Sequence, residues 1–295
     1  MTTKKIRKRT SRHERLSNPP PMRITARDML ALRAINDCTM MLHHQVTKLI
    51  YPNKNKAQER LALLWHHAYI QRLFTPVLGG IQNAHIINLI DRKGVDLLRR
   101  EFGYTDNQIR HKNYRKLPSG YEHTLGLADI RVAIEVSAKT NLFEVATWED
   151  EITALATYKR LDIGINRVGS VVPDGYVELI SESRASKSKY RFMIEFDRGK
   201  EGHTFLKKKL GSFDQFFIQG LASRRYGHSA IRVLFVIDGG TSNSRIRLNN
   251  ICEQAAKLSH RNHFWFATLQ DVIQHDVLIS PIWNTARSTI QKPLL

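Results

Sequence analysis

Two stretches decide the fold: Val171-Val172-Pro173-Asp174-Gly175-Tyr176-Val177-Glu178-Leu179-Ile180 and Tyr190-Arg191-Phe192-Met193-Ile194-Glu195-Phe196-Asp197-Arg198-Gly199. Both are rich in β-branched and aromatic residues and are bounded by turn formers, which reads as strand. The spacing predicts adjacent strands over 171–181 and 189–197, joined by the polar loop 182–188. Side chains alternate across a strand, so Glu195 and Asp197 fall on one face. Pro173-Asp174-Gly175 opens the first strand, and pairing of the two would bring Asp174 to the same end. The ordinary reading of Asp174 and Gly175 is a turn. For Glu195 and Asp197 it is an ion pair with Arg191 or Arg198.

Outward from this hairpin the pattern stays that of an α/β layer. A helix is expected over 124–140, with Leu127, Ile130, Ile134 and Val136 as its apolar stripe. A long helix is expected over 203–225, burying Phe205, Leu206, Leu210, Phe213, Phe216 and Phe217 and leaving 207–209 outside. The run 231–237 is apolar without interruption, as in a strand covered on both faces. A helix over 245–259 and a last strand over 263–269 complete an α/β fold with a central mixed sheet.

Three carboxylates at one end of a hairpin would suit Mg²⁺ or Mn²⁺, hard ions that take oxygen ligands. Asp174, Glu195 and Asp197 are the expected ligands, with Glu135 as a fourth from the preceding helix, and such an ion can activate water for phosphodiester hydrolysis. The set resembles the PD-(D/E)XK nuclease core, in which a helix Glu, a strand Asp and an (Asp/Glu)-x-Lys meet. This chain departs from it: Asp197 stands where that core carries lysine. Lys200, Lys207 or Lys208 would have to supply the charge. The expectation is a nuclease-like fold turned to binding, with an active enzyme as the alternative.

The first 120 residues carry 23 Lys and Arg against 8 Asp and Glu, net +15, while the remaining 175 carry only +4. A field concentrated in one half argues for a polyanion gripped by that half, and double-stranded DNA is the commonest such partner. Residues 1–22 read as a disordered basic tail whose Arg7, Lys8 and Arg9 would track phosphates or enter a minor groove. Thr25 and Asp28 have capping-box spacing and start a first helix that ends near Cys38. A second helix is expected over 42–50 and a third over 55–70. Strands over 74–78 and 84–90 would flank a Gly79-Gly80 turn, and Gly94 starts one more helix. Three helices and a ribbon are the order of a winged helix-turn-helix, expected over 23–103. Its third helix would read base edges with Lys54, Lys56, Gln58 and Arg60. Residues 104–120 read as a linker and 121–295 as the α/β domain.

The chain resembles the replication-relaxation family of bacterial plasmids and mobile elements. The resemblance runs from about residue 25 to 283. Its marks are the helix-turn-helix opening, His123-Thr124-Leu125 leading into Asp129-Ile130-Arg131-Val132-Ala133, and Pro173-Asp174-Gly175. Further marks are Glu195-Phe196-Asp197-Arg198-Gly199, the basic run from Leu206 to Leu210, Val233-Leu234-Phe235-Val236 and Phe266-Ala267-Thr268-Leu269. It implies a DNA-binding accessory protein for replication, relaxation or transfer, with a winged helix and a PD-(D/E)XK-like domain. The implied partners are DNA and the replication or transfer proteins of the same element. The rival functions are a metal-dependent endonuclease and a transcriptional regulator whose α/β domain forms a homodimer.

Several classes fall away. There is no P-loop Gly-x-x-x-x-Gly-Lys-Ser/Thr and no His-hydrophobic-His triplet of a rolling-circle relaxase. Two distant cysteines, Cys38 and Cys252, make neither a disulfide framework nor a zinc spacing and suit a reducing cytosol, and the resemblance implies a bacterial, cytoplasmic setting. No apolar run is long enough for a membrane span, and no h-region follows the basic start. The histidine pairs His43-His44 and His66-His67 read as ordinary helix residues. His123 reads as a capping or packing residue, and Trp65, Trp148, Trp265 and Trp283 as core.

Overall fold

The computed structural model describes residues 11, 13–76, 84–160, 171–181, 188–200, 202–238, 241–286 and 288–295. The chain divides into two compact units, Met1–Leu125 and Gly126–Leu295.

The first unit opens with helix α1 (Ala26–Asp37), started by the capping box that the sequence announces: Thr25 accepts from the Asp28 amide, and Asp28 accepts from the Thr25 amide. Then come β1 (Met41–Leu42), α2 (His43–Ile50), α3 (Lys54–His66), β2 (Ile70–Phe74), β3 (Ile86–Ile90) and α4 (Arg92–Phe102). The three strands form an antiparallel sheet in the order β1-β3-β2. Ala31, Leu32, Ile35, Val46, Leu61 and Leu64 are buried, which is the apolar face that the helical periods predict. The third helix stops at His66 rather than at residue 70, because Ala68 takes a left-handed φ of 64° and the chain enters β2 at once. The first strand is therefore 70–74 instead of 74–78, and the Gly79-Gly80 turn lies outside the described residues. Gly94 sits where an added Cβ would run into the Tyr69 carbonyl, so α4 approaches the β2 entry closely only because this residue is glycine.

Two expectations about this half are corrected. Residues 104–120 are no free linker: the Tyr104 hydroxyl donates to Asp37, the Arg110 amide to Asn36, and Tyr114 and Leu117 pack beside Met40, Ile87 and Leu89. The tail is not disordered from His13 onward. Arg15 reaches Asp91 at 2.6 Å and the Ile70 carbonyl at 2.8 Å, the Leu16 amide donates to His66, and His67 bonds the Pro20 carbonyl. A guanidinium that finds a carboxylate and a carbonyl together is held in place, which a reading of charge density misses. Arg7, Lys8 and Arg9 lie outside the described residues.

The second unit takes up α5 (Tyr121–Thr140) from Gly126 onward. It continues through β4 (Phe143–Asp150), α6 (Glu151–Arg160), β5 (Gly175–Ser181), β6 (Lys189–Asp197), α7 (His203–Ile218), α8 (Leu221–Tyr226) and β7 (Arg232–Ile237). It closes with α9 (Thr241–Ala255), β8 (Phe264–Thr268), α10 (Leu269–Gln274), β9 (Trp283–Thr285) and β10 (Ser288–Lys292). The seven-stranded sheet runs β10-β9-β8-β7-β6-β5-β4, parallel across β6-β7-β8 and antiparallel elsewhere. The fold is thus α/β with a mixed sheet. β7 is the doubly covered strand: Val233, Phe235 and Ile237 pack under α7 and α9, and Leu234 and Val236 pack under α5. The expected single helix over 203–225 is two helices, broken at Gly220, whose φ of 65° no helix interior tolerates.

Each unit holds a carboxylate that accepts several hydrogen bonds. Burial alone would raise Asp28, but bonds from Arg60 and Thr25 outweigh it and hold it below the ordinary carboxylate range. Asp276 is held down in the same way by Ser137, Asn141 and the Leu278 and Ile279 amides. An unfolded Asp titrates near ~3.9, so both contributions are complete above that value and vanish as pH falls through the depressed folded values. The urea midpoint should therefore drop as pH falls from about 4 toward about 2. A midpoint constant over that range would deny these carboxylates a stabilising role.

Candidate functional site

The strand β6 carries two of the candidate carboxylates, Glu195 and Asp197. Its residues alternate as expected: Phe192, Ile194 and Phe196 pack on the α5 side, and Met193 faces α7 and α9. Glu195 and Asp197 share that second face, and both are buried. Asp174, just ahead of β5, accepts a 2.8 Å hydrogen bond from the Phe196 amide, which pins it across from Glu195. The Phe196 amide thus ties Asp174 to the strand that bears Glu195 and Asp197.

The partners of the two β6 carboxylates are different from those expected. Asp197 is gripped by Arg247 of α9, whose Nε meets one carboxylate oxygen while Nη2 donates to the other at 3.0 Å; the Gly199 amide adds a third bond at 3.0 Å. Glu195 pairs with Lys209 of α7. Arg191 turns to Glu178 instead, at 2.7 Å. Lys200, Lys207 and Lys208, the candidates for the missing cation, are all exposed. Lys209, expected outside the helix with its two neighbours, is turned inward. Its position carries a readable signal: Phe213 and Phe216, four and seven residues on, are fully buried, so Lys209 belongs to the buried side.

Glu135 does not join the set. It pairs with Arg131 at 2.6 Å, one helical turn away, on a helix whose Ile130, Ala133 and Ile134 pack against Ile194 and Phe196. That is the opposite face of the sheet from Glu195 and Asp197. Gly126 is the α5 residue that abuts the Phe196 ring. Glu135 lies nine residues further on, about 13 Å along the axis at 1.5 Å per residue.

A divalent ion does not fit the set as it stands. Arg247 occupies both oxygens of Asp197, and Lys209 neutralises Glu195. Among the described residues no three His, Cys, Asp or Glu side chains gather as metal ligands. The arrangement is a carboxylate row closed by two cations. Beside it, Lys207, His203, Asn250 and Arg247 line a groove of about 460 Å³ between α7 and α9.

In the first unit, Lys54, Lys56 and Gln58 project from the opening turns of α3 into solvent, while Ala57, Leu61, Leu64 and Trp65 are buried. Asn53 caps the helix, accepting from the Lys56 amide at 2.9 Å. Lys56 also pairs with Glu59 at 3.0 Å. Arg60 is not available to a ligand. Its guanidinium forks onto Asp28 through Nε (3.1 Å) and Nη2, and Nη2 also donates to the Arg23 carbonyl. The Tyr51 hydroxyl completes the Asp28 cluster at 3.1 Å, so the expected base reader is a strut joining α1 to α3.

Fold and site together define an α/β protein whose β6 carboxylates, Glu195 and Asp197, are paired with Lys209 and Arg247 of two flanking helices, preceded by a small helical unit with an antiparallel sheet. A family model for replication-relaxation proteins matches residues 32–230, and the chain belongs to that family. Membership points to a role in plasmid or mobile-element replication or relaxation. Among solved structures, restriction endonuclease FokI matches at 11% identity with a TM-score of 0.26, over 84% of this chain and 43% of that one. The chain spans less than half the length of FokI. No curated protein matches significantly. Among the described residues, no helix is long and apolar enough to cross a membrane.

Proposed function

We propose that the protein is a DNA-binding accessory factor of a plasmid or mobile element. The first unit acts as a winged helix that recognises a duplex site for the replication or relaxation machinery. The observation that carries this reading is the opening of α3, where Lys54, Lys56 and Gln58 stand exposed in the half of the chain with net charge +15. Long polar side chains on the first turns of the third helix are what major-groove reading requires. In this reading the second unit keeps a nuclease-like fold for binding, its carboxylates neutralised by Lys209 and Arg247.

Replacing Lys56 or Gln58 with Ala should weaken binding to the cognate site by ~1–3 kcal/mol and weaken binding to random duplex much less. A gel-shift titration on both DNAs reads the difference. Equal losses would reduce α3 to a phosphate clamp, and no loss would remove the winged-helix reading. Deleting residues 1–12 takes away six basic side chains and spares Arg15. It should make the slope of log K against log salt shallower by ~0.9 for each phosphate that the tail no longer neutralises.

A metal-dependent endonuclease is the second reading, and one observation favours it. Lys209 sits on Glu195, so a lysine stands beside the carboxylates although position 197 lacks one. Nicking of supercoiled DNA with Mg²⁺ or Mn²⁺, abolished by a chelator and by Asp174→Ala, would establish it. Intact plasmid under those conditions leaves the binding role.

A further inference from the structure

A cleft of about 610 Å³ in the first unit lies away from the opening turns of α3, at that helix's last turn. Arg15, Trp65, Arg72, Arg92, Lys93 and His111 line it. One carboxylate also reaches it, Asp91, and Arg15 already holds that group at 2.6 Å. Arg72 is different from every other cation described above. Its guanidinium lies 4.6 Å over the Trp65 ring, and its Nε is buried without a hydrogen-bond partner. Among the described residues no carboxylate answers its charge. Burial and the neighbouring Arg15 charge pull its pKa down to about 10, the mark of a cation whose charge the fold does not compensate. Half-burying a guanidinium is costly unless something pairs with it. Arg92 and Lys93 stand exposed at the rim of the same cleft.

We propose that this cleft binds a phosphate group, with Arg72 as its deep ligand and Arg92 and Lys93 closing on the anion from the rim. Phosphate suits it because a planar guanidinium presents paired N–H donors that match phosphate oxygens, and three cations against one engaged carboxylate leave the site electropositive. The cleft is wide enough for a phosphate carried on a nucleotide or on a strand. The inference deepens the DNA-binding reading and rests on it only for the source of the phosphate. A phosphodiester of the bound duplex would make the cleft a second grip, separate from the α3 opening. A free phosphate or mononucleotide would make it a ligand site.

The test uses the full chain, with Arg72→Gln and the rim double variant Arg92→Gln/Lys93→Gln. The rim residues are exposed, so that variant keeps the proposal testable if the Arg72 change impairs folding. If the source is duplex DNA, both variants should bind random and cognate duplex alike about tenfold more weakly, the worth of one charge-assisted hydrogen bond. The salt slope should become shallower by ~0.9 per phosphate released. If the source is a free phosphate, inorganic phosphate or a mononucleotide should raise the melting temperature of the parent protein. The rim variant should lose that rise while its duplex salt slope stays put. No phosphate-induced rise in the parent, together with an unchanged duplex affinity and slope in both variants, would overturn the proposal. Should the parent protein fail to bind duplex at all, the DNA reading falls by itself and the phosphate titration still decides the cleft.

Discussion

Arg60→Ala should cost the protein about 3–5 kcal/mol of stability, the usual loss when one partner of a buried ion pair is removed. Asp28 is fully buried and receives Thr25, Tyr51 and the Arg60 fork together. Without Arg60 that carboxylate keeps its buried position and loses its counter-charge. Arg60→Lys should recover only part of the loss, since an ammonium cannot make the two-pronged contact or also reach the Arg23 carbonyl. Urea unfolding followed by tryptophan fluorescence reads the effect, because Trp65 lies on α3 itself. Lys56→Ala and Gln58→Ala are the controls: exposed positions should shift stability by no more than about 0.5 kcal/mol. An Arg60→Ala protein that unfolds like the parent but no longer discriminates its DNA site would return Arg60 to the base-reading role that its sequence position suggests.

Arg60 also marks where sequence stops being informative. Periodicity places α1, α2, β6 and β7, because each has a face or a run that only one environment accepts. The Thr25–Asp28 capping box is legible for the same reason: both partners lie within one turn. The partner of Arg60 lies 32 residues away, and nothing in a string of residues says that a charged side chain on an exposed-looking helix turns inward. Lys207, Lys208 and Lys209 make the same point within a single run. They look equivalent by composition, yet only the third lies above the Phe213 and Phe216 side of α7 and reaches Glu195. β4 escapes a sequence reading because Glu144, Glu149 and Asp150 dilute its apolar pattern, which an edge strand with one solvated flank permits. Glu135 is misplaced by sequence because the α5 stripe fixes which side of the helix is buried but not which face of the sheet it covers.

Lys209→Met should be the most damaging single change in the second unit. It leaves Glu195, whose side chain is 2% exposed, without its counter-ion in the middle of the sheet. A buried carboxylate that loses its cation is destabilised in its charged form, so its pKa should climb. The loss should again be about 3–5 kcal/mol at neutral pH. It should shrink as pH falls through the raised folded value, because a neutral carboxyl is cheaper to bury. This is the reverse of the acid sensitivity caused by Asp28 and Asp276, so a stability difference between variant and parent that narrows on acidification identifies the Glu195 contribution. Adding Glu195→Gln should restore much of the stability at pH 7, since the double variant buries no unpaired charge. Mn²⁺ separates the two functional readings. A parent protein that Mn²⁺ leaves unchanged fits a carboxylate row satisfied by its own lysine and arginine. A parent that Mn²⁺ stabilises has a row open enough for the ion to displace Lys209, and that outcome would turn the reading toward the endonuclease.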